Sequence, residues 1–92
     1  MRHQKVIWHH DNPDEPIVLC SEVDDDGWER RKVDEYRDGR LDRADAESEA
    51  GTTRLADQVM PSLEEINDQG PFEAATISSD EFEALWLRAA PR

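Results

Sequence analysis

Cysteine occurs once in the 92-residue chain, at Cys20, so no intramolecular disulfide framework can form and nothing points to an oxidising compartment. Long apolar runs are also missing. No segment approaches the roughly 20 apolar residues of a membrane span, and the opening residues lack the basic head, apolar run and small-residue cleavage site of a secretory leader. A cytoplasmic protein is expected. The four glycines, Gly27, Gly39, Gly51 and Gly70, stand at scattered turn positions and build no phosphate-cradling loop. Hydrophobic residues make up only 36% of the chain, which leaves room for one modest core in a single domain over residues 1–92 and argues against a large catalytic cleft.

Negative charge is what the chain has in excess. Asp and Glu outnumber Lys and Arg by 23 to 11, for a formal net charge of −12. Such a surface repels phosphate backbones and anionic lipid, and it favours a cationic partner through steering that weakens as salt rises. Direct contact with nucleic acid or a membrane is therefore not expected. The composition alone leans toward disorder, but the apolar residues cluster at strand and helix spacings, which argues for a folded domain.

Gln4 to His10 reads as a strand, closed by the Asn12-Pro13 turn, and Pro16 to Val23 as a second strand whose run Ile17 to Cys20 is apolar on both faces, as in a central strand. Trp28 to Arg37 and Arg40 to Ala46 form a hairpin. A two-residue type I′ turn at Asp38-Gly39 would pair Tyr36 with Leu41, Glu35 with Asp42, and Asp34 with Arg43. A soft acidic loop is expected over about residues 45–58. Two short helices follow. Ser62 with Glu65 is a capping box before Leu63 and Ile66; Ser78 with Glu81 repeats it, with Ile77 placed to staple onto Phe82, and Phe82, Leu85, Trp86 and Ala89 recur at helix spacing. Strands first and helices last predict an α+β fold, an antiparallel sheet of about four strands with the two short helices packed on one face.

The opening WHHDNPDEPIVLCSEVD (Trp8 to Asp24), the hairpin WERRKVDEYRDGR (Trp28 to Arg40), PSLEEIN (Pro61 to Asn67) and EFEALW (Glu81 to Trp86) together resemble a family of small bacterial proteins classed only as a domain of unknown function. The likeness spans Lys5 to Leu87. It implies one compact domain and carries no activity or catalytic residue with it.

Several groups of residues invite a chemical reading. His9, His10 and Asp11 are ligand-like, but adjacent residues on a strand point to opposite faces, so only one histidine could join a given site, and ordinary strand-end histidines are expected. Asp24, Asp25 and Asp26 before Gly27 lack the spacing of a calcium loop and read as a solvated acidic turn. Cys20 has no electropositive neighbour to activate it and reads as a buried core thiol. Arg30, Arg31 and Lys32 beside Trp28 and Tyr36 resemble an RNA-binding pattern, but the surrounding acids favour internal ion pairing. No catalytic set, cofactor site or metal site is assigned, so no enzyme activity is expected.

The leading expectation is a small acidic binding protein, a monomer or weak dimer, that neutralises a basic partner such as a nuclease or another nucleic-acid-binding protein, in the manner of an immunity protein, an antitoxin or a nucleic-acid mimic. Asp24, Asp25, Asp26, Trp28, Asp42, Asp45, Glu47 and Glu49 are its candidate partner-binding residues, the acids for steering and the tryptophan as anchor. The alternative is a regulatory or scaffold module that binds a partner chain through a sheet edge or an apolar groove.

Overall fold

In the computed structural model, which describes residues 1–49 and 53–90, five strands and two helices follow in the order β1 (Arg2–Trp8), β2 (Val18–Val23), β3 (Glu29–Glu35), β4 (Leu41–Asp45), α1 (Leu63–Asn67), β5 (Phe72–Thr76) and α2 (Ser79–Arg88). The strands form one antiparallel sheet in the order β4-β3-β2-β1-β5. The α+β class agrees with the sequence pattern; the strand count is five where about four were expected. The additional strand is β5, whose sequence FEAAT has little β-propensity of its own. It forms because β1 offers it a ladder from Gln4 opposite Thr76 to Trp8 opposite Phe72.

The hairpin register also differs from the expectation. Tyr36 N–H donates to the carbonyl of Arg40 and Gly39 N–H to the carbonyl of Tyr36, each at 2.9 Å, so the loop has three residues, Arg37, Asp38 and Gly39. Gly39 has φ +90°, and no non-glycine residue among those described has positive φ. A type I′ turn needs positive φ at both centres; here Asp38 keeps an ordinary conformation and Gly39 takes the left-handed one as a bulge. Glu35 therefore pairs with Leu41, Asp34 with Asp42 and Val33 with Arg43. That one-residue slip turns every β4 side chain to the other face of the sheet. The expected Asp34–Arg43 and Glu35–Asp42 pairs do not form.

Register assigns the faces. Cys20, Val33, Leu41 and Arg43 share one with Val18, and α2 packs there: Phe82, fully buried, and Ala89 join Cys20 and Val33 in one apolar cluster edged by Ile77, Leu85 and Trp86. Burying Phe82 contributes about 1.5–3 kcal/mol. Ser78 Oγ accepts from Glu81 N–H at 3.0 Å to start the helix. Val6, Leu19 and Ser21 look the other way, toward Met60, Pro61 and Ile66 of α1 and the segment before it. The two helices thus lie on opposite faces, not on one as expected. The physical reason is β5: as an edge strand between the helices, it carries the chain from one side of the sheet to the other.

The acidic loop read over 45–58 is tied down where it is described. Glu49 bridges back to Ala44, Thr53 Oγ1 donates to Asp34 Oδ2 at 2.9 Å, and Ala56 N–H donates to Glu29 Oε1 at 2.8 Å. Residues 50–52 of that reading lie outside the described residues.

Candidate functional site

The turn from Asp24 to Trp28 is organised by its first residue. Asp24 Oδ1 accepts from Asp26 N–H at 2.9 Å and Trp28 N–H at 3.0 Å, and Oδ2 takes Arg30 Nε at 2.6 Å. The Trp28 backbone bond is the leading reason its carboxyl sits below the usual range. Asp24 is thereby a structural residue of the turn. Asp25 and Asp26 project into solvent, and Trp28 is 40% exposed.

Two further segments converge on this turn. Met60 N–H donates to the Gly27 carbonyl at 2.8 Å, which brings the exposed Val59 over the glycine, and the amino terminus of Met1 lies 3.6 Å from Asp25. Four large hydrophobic side chains are exposed among the described residues. Three of them, Met1, Trp28 and Val59, belong to this one end of the sheet; the fourth, Leu87, lies on α2.

The β3–β4 ladder sets Asp45 opposite Arg31, two residues into β3, so the Asp45–Glu49 loop leaves the sheet at the same end. Asp45 Oδ1 accepts from Glu47 and Ser48 N–H groups, both at 2.9 Å, and these backbone bonds, that of Glu47 first, lower its pKa. Glu47 and Glu49 are exposed, Glu49 lying 3.5 Å from Arg54. Of the eight residues predicted from sequence, Asp25, Asp26, Trp28, Glu47 and Glu49 present themselves to solvent at this end. Asp24 and Asp45 hold the loops there. Asp42 does not join them: it stands opposite Asp34, farther along the sheet.

Sequence reasoning missed a second feature, a cavity of about 210 Å³ between the sheet and α1. Val6, Leu19, Met60, Ile66 and Phe72 supply apolar walls, and Ser21, Glu29, Lys32 and Gln69 supply its polar lining. Ser21 Oγ donates to Glu29 Oε2 at 2.5 Å; Lys32 Nζ lies 3.5 Å from Glu29 Oε1 and donates to the Arg54 carbonyl at 2.9 Å. Nearby on the same face, burial pushes the Asp34 carboxyl up, and its Oδ1 has no hydrogen-bond partner among the described residues. The available signal was Gln4 and Ser21, polar residues that strand alternation places on the same face as Val6 and Leu19. What hid the cluster is a register shift at Glu22/Val23, which sets Glu29 opposite Val23 while Arg31 faces Glu22. Simple alternation would have put Glu29 and Lys32 on opposite faces; a bulge puts them together.

The other sequence candidates have structural roles. His10 Nε2 lies 2.8 Å from the Pro16 carbonyl and Nδ1 accepts from Asn12 N–H at 3.0 Å, a pattern that assigns the proton to Nε2. His9 pairs with Glu73 at 3.0 Å. Arg30, Arg31 and Lys32 each lie against an acid: Asp24, Glu22 and Glu29 respectively. Cys20 is buried, and burial raises its thiol to about 11, so it stays protonated at neutral pH.

The family model described as a domain of unknown function (DUF6881) matches residues 2–91. No curated protein and no solved structure matches the chain. No helix among the described residues is long and apolar enough to cross a membrane.

Proposed function

The chain belongs to the DUF6881 family, and we propose that it is a small non-catalytic binding protein whose acidic end docks on a basic protein partner. One observation carries this reading: the exposed Met1, Trp28 and Val59 gather at the same end of the sheet as Asp25, Asp26, Glu47 and Glu49. An aromatic anchor among apolar neighbours, with charge around it, is the arrangement that yields both residence time and fast encounter. The charge matches the Lys and Arg residues of a phosphate-binding groove, so a nuclease or another nucleic-acid-binding protein is the partner class that fits best, and the protein would act on it as an inhibitor or immunity protein does.

The scaffold alternative draws less support from the sheet edges. Asn67 covers β5, its side-chain amide pairing with Ala74 through Nδ2 to the carbonyl at 3.0 Å and Oδ1 from N–H at 2.7 Å. On the opposite edge, Glu49 bridges back to Ala44 of β4. Both contacts occupy backbone groups that a docking strand would need.

The test begins with capture of partners from host lysate at low salt, followed by titration of the purified partner with the wild type, Trp28→Ala and the double variant Asp25→Lys, Asp26→Lys. Trp28→Ala is expected to weaken binding about tenfold or more, mainly through faster dissociation. The charge reversal is expected to slow association and flatten the salt dependence. A partner whose affinity ignores both variants and salt would remove the acidic end from the mechanism.

A further inference from the structure

We infer that the cavity between the sheet and α1 is a binding site for an uncharged, ring-sized apolar molecule that carries a carboxamide or an equivalent acceptor and donor pair. This site lies on the sheet face of Val6, Leu19 and Ser21 and is distinct from the exposed acidic end, although Met60, one of its walls, is tied to that end through the Gly27 carbonyl.

Size comes first. The cavity holds about 210 Å³, somewhat more than the roughly 150 Å³ that suffices for benzene in an apolar protein cavity. Val6, Leu19, Ile66 and Phe72 give it the walls that such a ring requires.

Polar lining then sets the class. Glu29 is engaged at both oxygens: Oε2 takes the Ser21 hydroxyl, and Oε1 takes Ala56 N–H and faces Lys32. The Glu29 carboxylate and Lys32 ammonium compensate each other, so an anionic ligand would be set against Glu29 and a cationic one against Lys32. Hydrogen-bonding capacity nonetheless remains. Lys32 has three donors and two of them are engaged, by Glu29 and the Arg54 carbonyl; the Ser21 hydroxyl donates its hydrogen to Glu29 and keeps lone pairs able to accept. A ligand carbonyl answers the first and a ligand N–H the second.

An independent observation concerns Gln4, directly across the β1–β2 ladder from Ser21. Its side chain is fully buried, and Nε2 has no partner among the described residues. Buried amide donors are almost always satisfied; Gln4 does not itself line the cavity, so its orphan marks a missing acceptor across the ladder from the lining Ser21.

Three probes that share one ring and differ in charge decide the matter: benzamide, benzoate and benzylamine, each titrated into the full chain with methyl resonances of Val6, Leu19 and Ile66 followed by NMR. Saturable shifts with benzamide, at least fivefold tighter than with either charged probe, are expected. Met60→Trp should fill the cavity and abolish the shifts while the α2 resonances keep their positions. Ser21→Ala, which removes no bulk from the apolar walls, should weaken benzamide severalfold relative to toluene. Absence of saturable shifts at these methyls, equal or tighter binding of benzoate or benzylamine, or unchanged benzamide binding in both variants would overturn the assignment.

Discussion

Arg31 Nη2 donates to Glu22 Oε2 across the β2–β3 ladder at 2.7 Å, and the same guanidinium stands 5.0 Å from the ring centroids of both Phe82 and Trp86. It also pairs with Glu83 of α2. One side chain thus joins the sheet to the helix by charge and by cation–π contact, at the border of the apolar cluster.

Arg31 and His3 hold Glu22 down to about 2 from an ordinary 4.5, the Arg31 hydrogen bonds first. A depressed folded-state pKa means that this stabilisation is full above about pH 4.5 and is lost as pH falls toward 2. Glu22→Gln should therefore cost about 1–2 kcal/mol near pH 7, after allowance for solvent screening. Urea unfolding of both proteins at pH 7 and near pH 2 checks it: the difference should shrink in acid.

Asp34 should behave with the opposite sign. Burial raises its folded-state pKa, Oδ1 lacks a partner among the described residues, and Asp42 lies directly across the ladder. A raised carboxyl pKa is a penalty on folding that is full above the folded value and vanishes below the unfolded one. Asp34→Asn should leave stability at pH 7 unchanged or raise it by up to about 1 kcal/mol, and the gain should disappear in acid. Thermal melts across roughly pH 3 to 8, which spans the ordinary carboxylate value, read this directly.

Asn67 is expected to protect the β5 edge. Asn67→Ala uncovers the N–H and carbonyl of Ala74 and should cost about 1–2 kcal/mol for the two lost bonds. The exposed edge should also promote association between copies. Sedimentation velocity at rising concentration, beside a denaturant melt, separates the two effects.

Gly27 carries two constraints where Gly39 carries one. Both have φ near +90°, but a Cβ on Gly27 would meet Val59 Cγ1 at 2.6 Å, whereas nothing lies within 4 Å at Gly39. Gly39→Ala should cost about 1 kcal/mol for backbone conformation alone, and Gly27→Ala more. Val59→Ala in the Gly27→Ala background should return the excess, as a double-mutant cycle by chemical denaturation would measure.

The local signals carried a good part of the fold. Capping at Ser62 and Ser78, the helical recurrence of Phe82, Leu85 and Trp86, and the apolar strand around Cys20 are each set by neighbours within a few residues, so they were readable along the chain. The hairpin was legible but its register was not. Asp38-Gly39 is compatible with a two-residue or a three-residue loop, and only the sheet beyond it, which needs Leu41 and Arg43 on the α2 face, selects between them.

By itself the sequence determined the α+β class, the helix starts, the burial of Cys20 and the excess of negative charge, because each follows from composition or short spacing. Tertiary structure alone decided that FEAAT is a strand, that the helices lie on opposite faces, that Asp42 stands apart from the other candidate acids, and that Ser21, Glu29 and Lys32 meet beside a cavity. Those outcomes depend on ladder pairings between distant segments and on one bulge. A one-residue change in either reverses which face a side chain takes, and no local propensity records it.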